Sequence, residues 1–133
     1  MAKLVLTNAV VTLNSTDISA NVKSITLQST VAEIATTAFG SSAVTRTGGL
    51  TDNSVKMSLI NDYSAIEGLI YPLIGGTATL VIKPNGSAAS TTNPSYTCAP
   101  VIVDWSPVNG AVGDLNVSDV TWPISGAIVK AVA

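Results

Sequence analysis

The feature that most constrains this chain is a period of two. In "SVKMSLI", Val55, Met57 and Leu59 alternate with Ser54, Lys56 and Ser58. Such a run fits a strand with one buried and one wetter face, and does not fit a helix. The pattern recurs. Ala9, Val11 and Leu13 alternate with Val10, Thr12 and Asn14, and "NST" at residues 14–16 supplies a turn. The return run, residues 17–29, sets Ile25 and Leu27 against Ser24, Thr26 and Gln28, which predicts a hairpin with the first strand. Ala78, Leu80 and Ile82 share a face in "TATLVIKP". Val101, Val103 and Trp105 oppose Ile102 and Asp104, and Val120, Trp122 and Ile124 line the last run. Pro123 has no N–H for a ladder, so that strand needs an edge, a bulge or a bend.

One segment changes period. In "DYSAIEGLIYPLIGG", Ile66, Leu69, Ile70, Leu73 and Ile74 form a helical stripe over residues 64–74. Ser64 and Glu67 have the spacing of a capping box, Gly75-Gly76 offers a stop, and Pro72 predicts a kink or a 3₁₀ last turn. Residues 85–94, "NGSAASTTNP", read as a flexible connection, and residues 106–114 are rich in turn dipeptides. The expected fold class is mainly β (α+β): one domain over residues 1–133, a sandwich or partial barrel of six to seven strands with one flanking helix.

Composition limits the chemistry. Charged residues make up 11% and the 31 Ser and Thr outnumber them, so an isolated monomer has little charge to keep it apart from its neighbours. The net charge of −2, with one arginine and scattered lysines, argues against a nucleic-acid grip. Without histidine the chain lacks the commonest general base and metal ligand. Cys98, the only cysteine, lies in an apolar strand and reads as a core thiol. Asp104, Asp114 and Asp119 fall at turns and read as caps, and "DLNVSD" lacks the final glutamate of an EF-hand. No enzyme, cofactor or metal site is expected. The N-terminal residues lack a continuous apolar centre of signal-peptide type, and no run approaches a membrane span, so no membrane anchoring is expected.

Residues 31–52 break the alternation. This run holds the only phenylalanine, Phe39, and the only arginine, Arg46, among Thr, Ser and Gly. Loops of this length are functional arms or disordered. Val31, Ile34, Phe39, Val44 and Leu50 are apolar side chains that a free loop exposes, which favours an arm ordered by a second subunit. Burying Phe39 there contributes about 1.5–3 kcal/mol, and Arg46 suits a carboxylate across an interface.

The order of these parts resembles a major tail (tail tube) protein of a long-tailed bacteriophage. It runs from a hairpin and a long "TTAFG…R…GGL.D" arm to "SVKMSLINDYS", a helix ending "LIYPLIGG", then "TATLVIKP" and the ending "SPVNGAVGDLNVSDVTWPISGAI". The resemblance implies a tail-tube-type sandwich whose copies form hexameric rings that stack into a hollow conduit for genomic DNA. Ile34, Phe39, Arg46 and Leu50 are then the candidate inter-subunit contacts. The implied partners are further copies of the chain, the tape measure, terminator and distal tail proteins, and DNA in transient, non-specific passage. The implied location is the virion tail, assembled in the host cytoplasm; tailocins and gene-transfer particles use related tubes. A tail-terminator or neck ring protein, or a carbohydrate-binding surface module, are the alternative readings.

Overall fold

The computed structural model describes residues 6–64 and 66–132; Lys3 and the rest of the first five residues, Ala65 within the expected helix, and Ala133 lie outside them. Among the described residues, eight strands form two antiparallel sheets. The first contains β1 (Val10–Leu13), β2 (Thr16–Asp17), β5 (Leu80–Lys83), β6 (Ser95–Cys98) and β8 (Val129–Ala131), in the order β2-β1-β5-β6-β8. The second contains β3 (Val22–Ala35), β4 (Arg46–Ile60) and β7 (Val117–Ile124), with β4 in the middle.

The inward faces of the two sheets meet in one core. Val11, Leu13, Leu80, Ile82 and Cys98 come from the first sheet; Val55, Met57, Leu59, Val120, Trp122 and Ile124 come from the second. The alternating residues of "SVKMSLI", "TATLVIKP" and the last run therefore face inward as the sequence predicts. Trp122 is fully buried, and its indole Nε1 donates to the Asp104 carbonyl at 2.7 Å. Pro123 lies on β7, whose only full strand partner is β4. An edge strand tolerates the missing donor.

The first hairpin is shorter than its sequence suggests. Asn14 and Ser15 both have positive φ (48° and 68°), and Leu13 pairs with Thr16, as in a two-residue turn that follows strand twist. The pairing stops after Asp17. The Asp17 carboxylate accepts the backbone N–H and hydroxyl of Ser19, while Ile18 is buried. Those Ser19 bonds hold the Asp17 carboxyl below its ordinary pKa. A 3₁₀ turn at Ser19–Asn21 then carries the chain across to the other sheet. From Val22 onward it pairs with β4, not with β1. The partner of residues 22–29 was the error; Ile25 and Leu27 do pack against the core.

The expected helix over residues 64–74 is one α turn, α1 (Glu67–Ile70), followed by a 3₁₀ turn at Tyr71–Leu73. Pro72 accounts for the 3₁₀ turn, and Gly75 (φ 89°) leaves it with its N–H on the Ile102 carbonyl. Ile66 and Ile70 are buried, whereas Ile74 is exposed. The capping box does not form. Ser64 directs its N–H and hydroxyl to the Asp62 carboxylate, and no side chain caps α1. A carboxylate two residues before Ser64 competes locally for the same groups.

Two further expectations are corrected. Residues 100–102 join the fold through isolated bridges, Pro100 to Ile124 and Val101 to Thr77, and keep the phase of β6, with Cys98, Pro100 and Ile102 buried. Val101 is half-buried and Val103 exposed, the reverse of the expected face, and the alternation breaks only beyond them, where Asp104 is exposed and Trp105 buried. Residues 85–94 are built around Asn93, which is buried. Its Nδ2 donates to the Ser87 carbonyl at 2.8 Å and the Asn85 carbonyl at 3.3 Å, and its Oδ1 accepts from the Asn85 N–H at 3.1 Å. A side-chain amide thus takes over backbone pairing inside the loop.

Candidate functional site

Residues 31–52, expected as an irregular arm, continue β3 and β4 beyond the sandwich as a two-stranded hairpin. Pairing runs from Thr30↔Asp52 through Val31↔Thr51 to Ala35↔Arg46. The register shifts between Val31 and Glu33, where Gly49 and Leu50 oppose Ala32 alone. This is a β-bulge. Gly49 suits it physically: a Cβ there falls 2.8 Å from the Ile34 methyl and 3.3 Å from the Ala32 Cβ.

Threonines close the tip. Thr36 donates its N–H to the Thr45 carbonyl at 2.8 Å, and its hydroxyl to the Thr45 hydroxyl at 2.8 Å. The Thr45 N–H donates to the Thr37 hydroxyl at 2.9 Å, and Gly40 takes a positive φ of 89°. The segment is therefore ordered by its own pairing, and a second subunit is not needed for its backbone. That corrects the expectation from the sequence.

Its apolar side chains are a different matter. Phe39 is fully exposed at the tip and Leu50 is 89% exposed at the bulge; Val31, Ile34 and Val44 are each about half exposed. Both faces of the outer hairpin meet solvent. Arg46 pairs its guanidinium with Glu33 of the facing strand. Both side chains are largely exposed. Such a pair contributes about 0.2–1 kcal/mol. The hairpin thus brings all four candidate contacts, Ile34, Phe39, Arg46 and Leu50, onto one projection. The outer edge of β3 has no strand partner among the described residues.

A second feature was not legible in the sequence. Between the sheets, beside β3, an open cleft of about 390 Å³ is lined mainly by apolar groups, including Ile25, Leu27, Ile82, Pro84 and Tyr96. Ser29 lies on its wall and Lys83 is its one charged residue. The Lys83 ammonium donates to the Ser87 carbonyl at 3.2 Å.

Other polar groups tie loops to the sheets. At the opposite end of β4, Asn61 donates to the Asn116 side-chain oxygen at 2.8 Å, and Asn116 donates to the Tyr63 hydroxyl at 2.7 Å. Tyr63 in turn donates to the Pro107 carbonyl at 2.6 Å. Asp114 accepts the Ala111 N–H at 3.1 Å, as a turn cap does. Burial pushes the Cys98 thiol up to about 11, which keeps it protonated near neutral pH and a poor nucleophile. Among the described residues, no group of three His, Cys, Asp or Glu side chains could hold a metal ion. No helix among them is long and apolar enough to cross a membrane. A scan against protein-family models and a search of curated proteins return no match.

Proposed function

We propose that the chain is a structural subunit of a phage-type tail tube, in which identical copies form rings that stack into a hollow conduit for DNA. The observation that carries the reading is the outer hairpin: an ordered β-ribbon with Phe39, Leu50, Ile34, Val31 and Val44 uncovered. Exposed apolar patches of this kind mark interaction surfaces, a second protein among their occupants. The unpaired edge of β3 adds a row of backbone donors and acceptors that another strand can satisfy. Low charge, Ser/Thr-rich faces and a net charge of −2 suit a surface that DNA passes without sticking. In this role the partners are the chain itself and the other tail proteins, the location is the virion tail, and no catalysis is required.

The carbohydrate-module alternative calls for exposed aromatic platforms. Trp105 and Trp122, the largest rings in the chain, are both buried; the exposed rings are Phe39, Tyr63 and Tyr71. The terminator-ring alternative shares the self-association and differs in its end point. Negative-stain microscopy of the concentrated protein separates the three. Long hollow filaments are the expected result, closed isolated rings favour the terminator, and dispersed monomers overturn the tube reading.

A further inference from the structure

The inter-sheet cleft and the hairpin tip are complementary features of one chain that cannot meet within it. Ile25, Leu27 and Ser29 of β3 line the cleft, and Phe39 lies ten residues beyond Ser29. At about 3.3 Å per residue, the six steps from Ser29 to Ala35 already place the tip neck roughly 20 Å away. The paired ribbon is extended throughout that span. Any tip that fills the cleft therefore belongs to another molecule.

Polarity defines the occupant. The cleft is apolar, and its one ammonium already has an acceptor. An occupant enters at least cost if it brings an apolar side chain and no charge. Residues 36–45 contain no charged residue and present the fully exposed Phe39. Docking breaks no backbone pairing at the tip, since the N–H groups of Phe39 and Gly40 make no hydrogen bond within the described chain.

We propose that the cleft is the receptor for the hairpin tip of a second copy, with Phe39 as the inserted side chain. The inference rests on the reading that copies of this chain associate, and it names the site at which they do so. Burying one aromatic ring covers about 150–250 Å², far below the roughly 1,200–2,000 Å² of a stable pairwise interface. A lone dimer is therefore not the product. Each copy carries one tip and one cleft, so a copy that gives its tip to one neighbour leaves its cleft for the tip of another, and the contact repeats head-to-tail unless two copies exchange tips reciprocally.

The test uses the full chain with p-benzoylphenylalanine in place of Phe39, prepared as a mixture of ¹⁴N- and ¹⁵N-labelled protein and irradiated at concentrations that produce assembly. Mixed-isotope cross-links from position 39 to residues 25–29, residues 82–84 or Tyr96 are the expected result. Cross-links to another surface of the second copy overturn the cleft assignment and leave self-association standing. Absence of assembly at any concentration overturns both. A Ser29→Trp variant, which fills the cleft, should raise the concentration needed for assembly at least tenfold with an unchanged melting temperature. Normal assembly by the folded variant, or a small apolar molecule found in the cleft by native mass spectrometry, also overturns the proposal.

Discussion

Replacing residues 31–51 with a two-residue Asn-Gly turn leaves a folded protein that stays monomeric at concentrations where the intact chain assembles. Thr30 and Asp52 already face each other in register, and a two-residue turn of this type matches strand twist. The Thr30 hydroxyl keeps its bond to the Asp52 carbonyl. No residue of the buried core lies between 31 and 51. The main losses are solvent-exposed ladder bonds and the Glu33–Arg46 pair, itself worth about 0.2–1 kcal/mol. The thermal midpoint should therefore move by only a few degrees, since about 1 kcal/mol corresponds to roughly 2–8 °C across domains of this general size. Sedimentation velocity reads the loss of assembly and circular dichroism reads the fold. An unfolded variant places the hairpin inside the folding unit; undiminished filaments remove it from the interface.

Trp122→Ala has the opposite profile. Its ring is fully buried between the sheets, and truncation both opens a cavity and strips the Asp104 carbonyl of its indole donor. Such changes cost about 3–5 kcal/mol. Domains of this size are stable by about 5–15 kcal/mol, so the variant should lose about a fifth of its stability or more. Urea denaturation measures this directly, and a loss below about 1 kcal/mol contradicts the packing described here. Assembly also falls in this variant, through unfolding; in the hairpin variant it falls while the fold persists. Together the two substitutions separate the parts of the chain that make the fold from the part assigned to association.

Where one face of a strand is buried, the sequence announces it. Val55, Met57 and Leu59 could be assigned inward without a structure, as could Leu80 and Ile82, and Val120, Trp122 and Ile124. The outer hairpin escaped because it has no buried face. From Gln28 outward β3 is wet on both sides, so alternation carries no apolar signal, and the bulge at Gly49 and Leu50 shifts the phase. Gly-Gly in that run looked like loop chemistry and is bulge chemistry. The same limit applies to residues 85–94, where the buried Asn93 at the centre of the loop could not be distinguished from its neighbours by composition.

The candidate contacts were legible in a narrower sense. A sole phenylalanine in a Thr/Ser/Gly segment implied exposure or a partner, and Phe39 is exposed. The Glu33 partner of Arg46 was not legible in the sequence, because the two become neighbours only when the hairpin forms. The cleft was beyond the sequence altogether, since its walls come from strands in different sheets.

Hydrogen exchange of residues 31–51, followed from dilute to assembling concentrations, tests most directly whether neighbours cover the hairpin. In dilute solution the outward amides of β3 should exchange freely. On assembly their exchange should slow at least tenfold, while the core amides of β4 and β7 stay slow throughout. Identical exchange across residues 31–51 at every concentration would contradict the account.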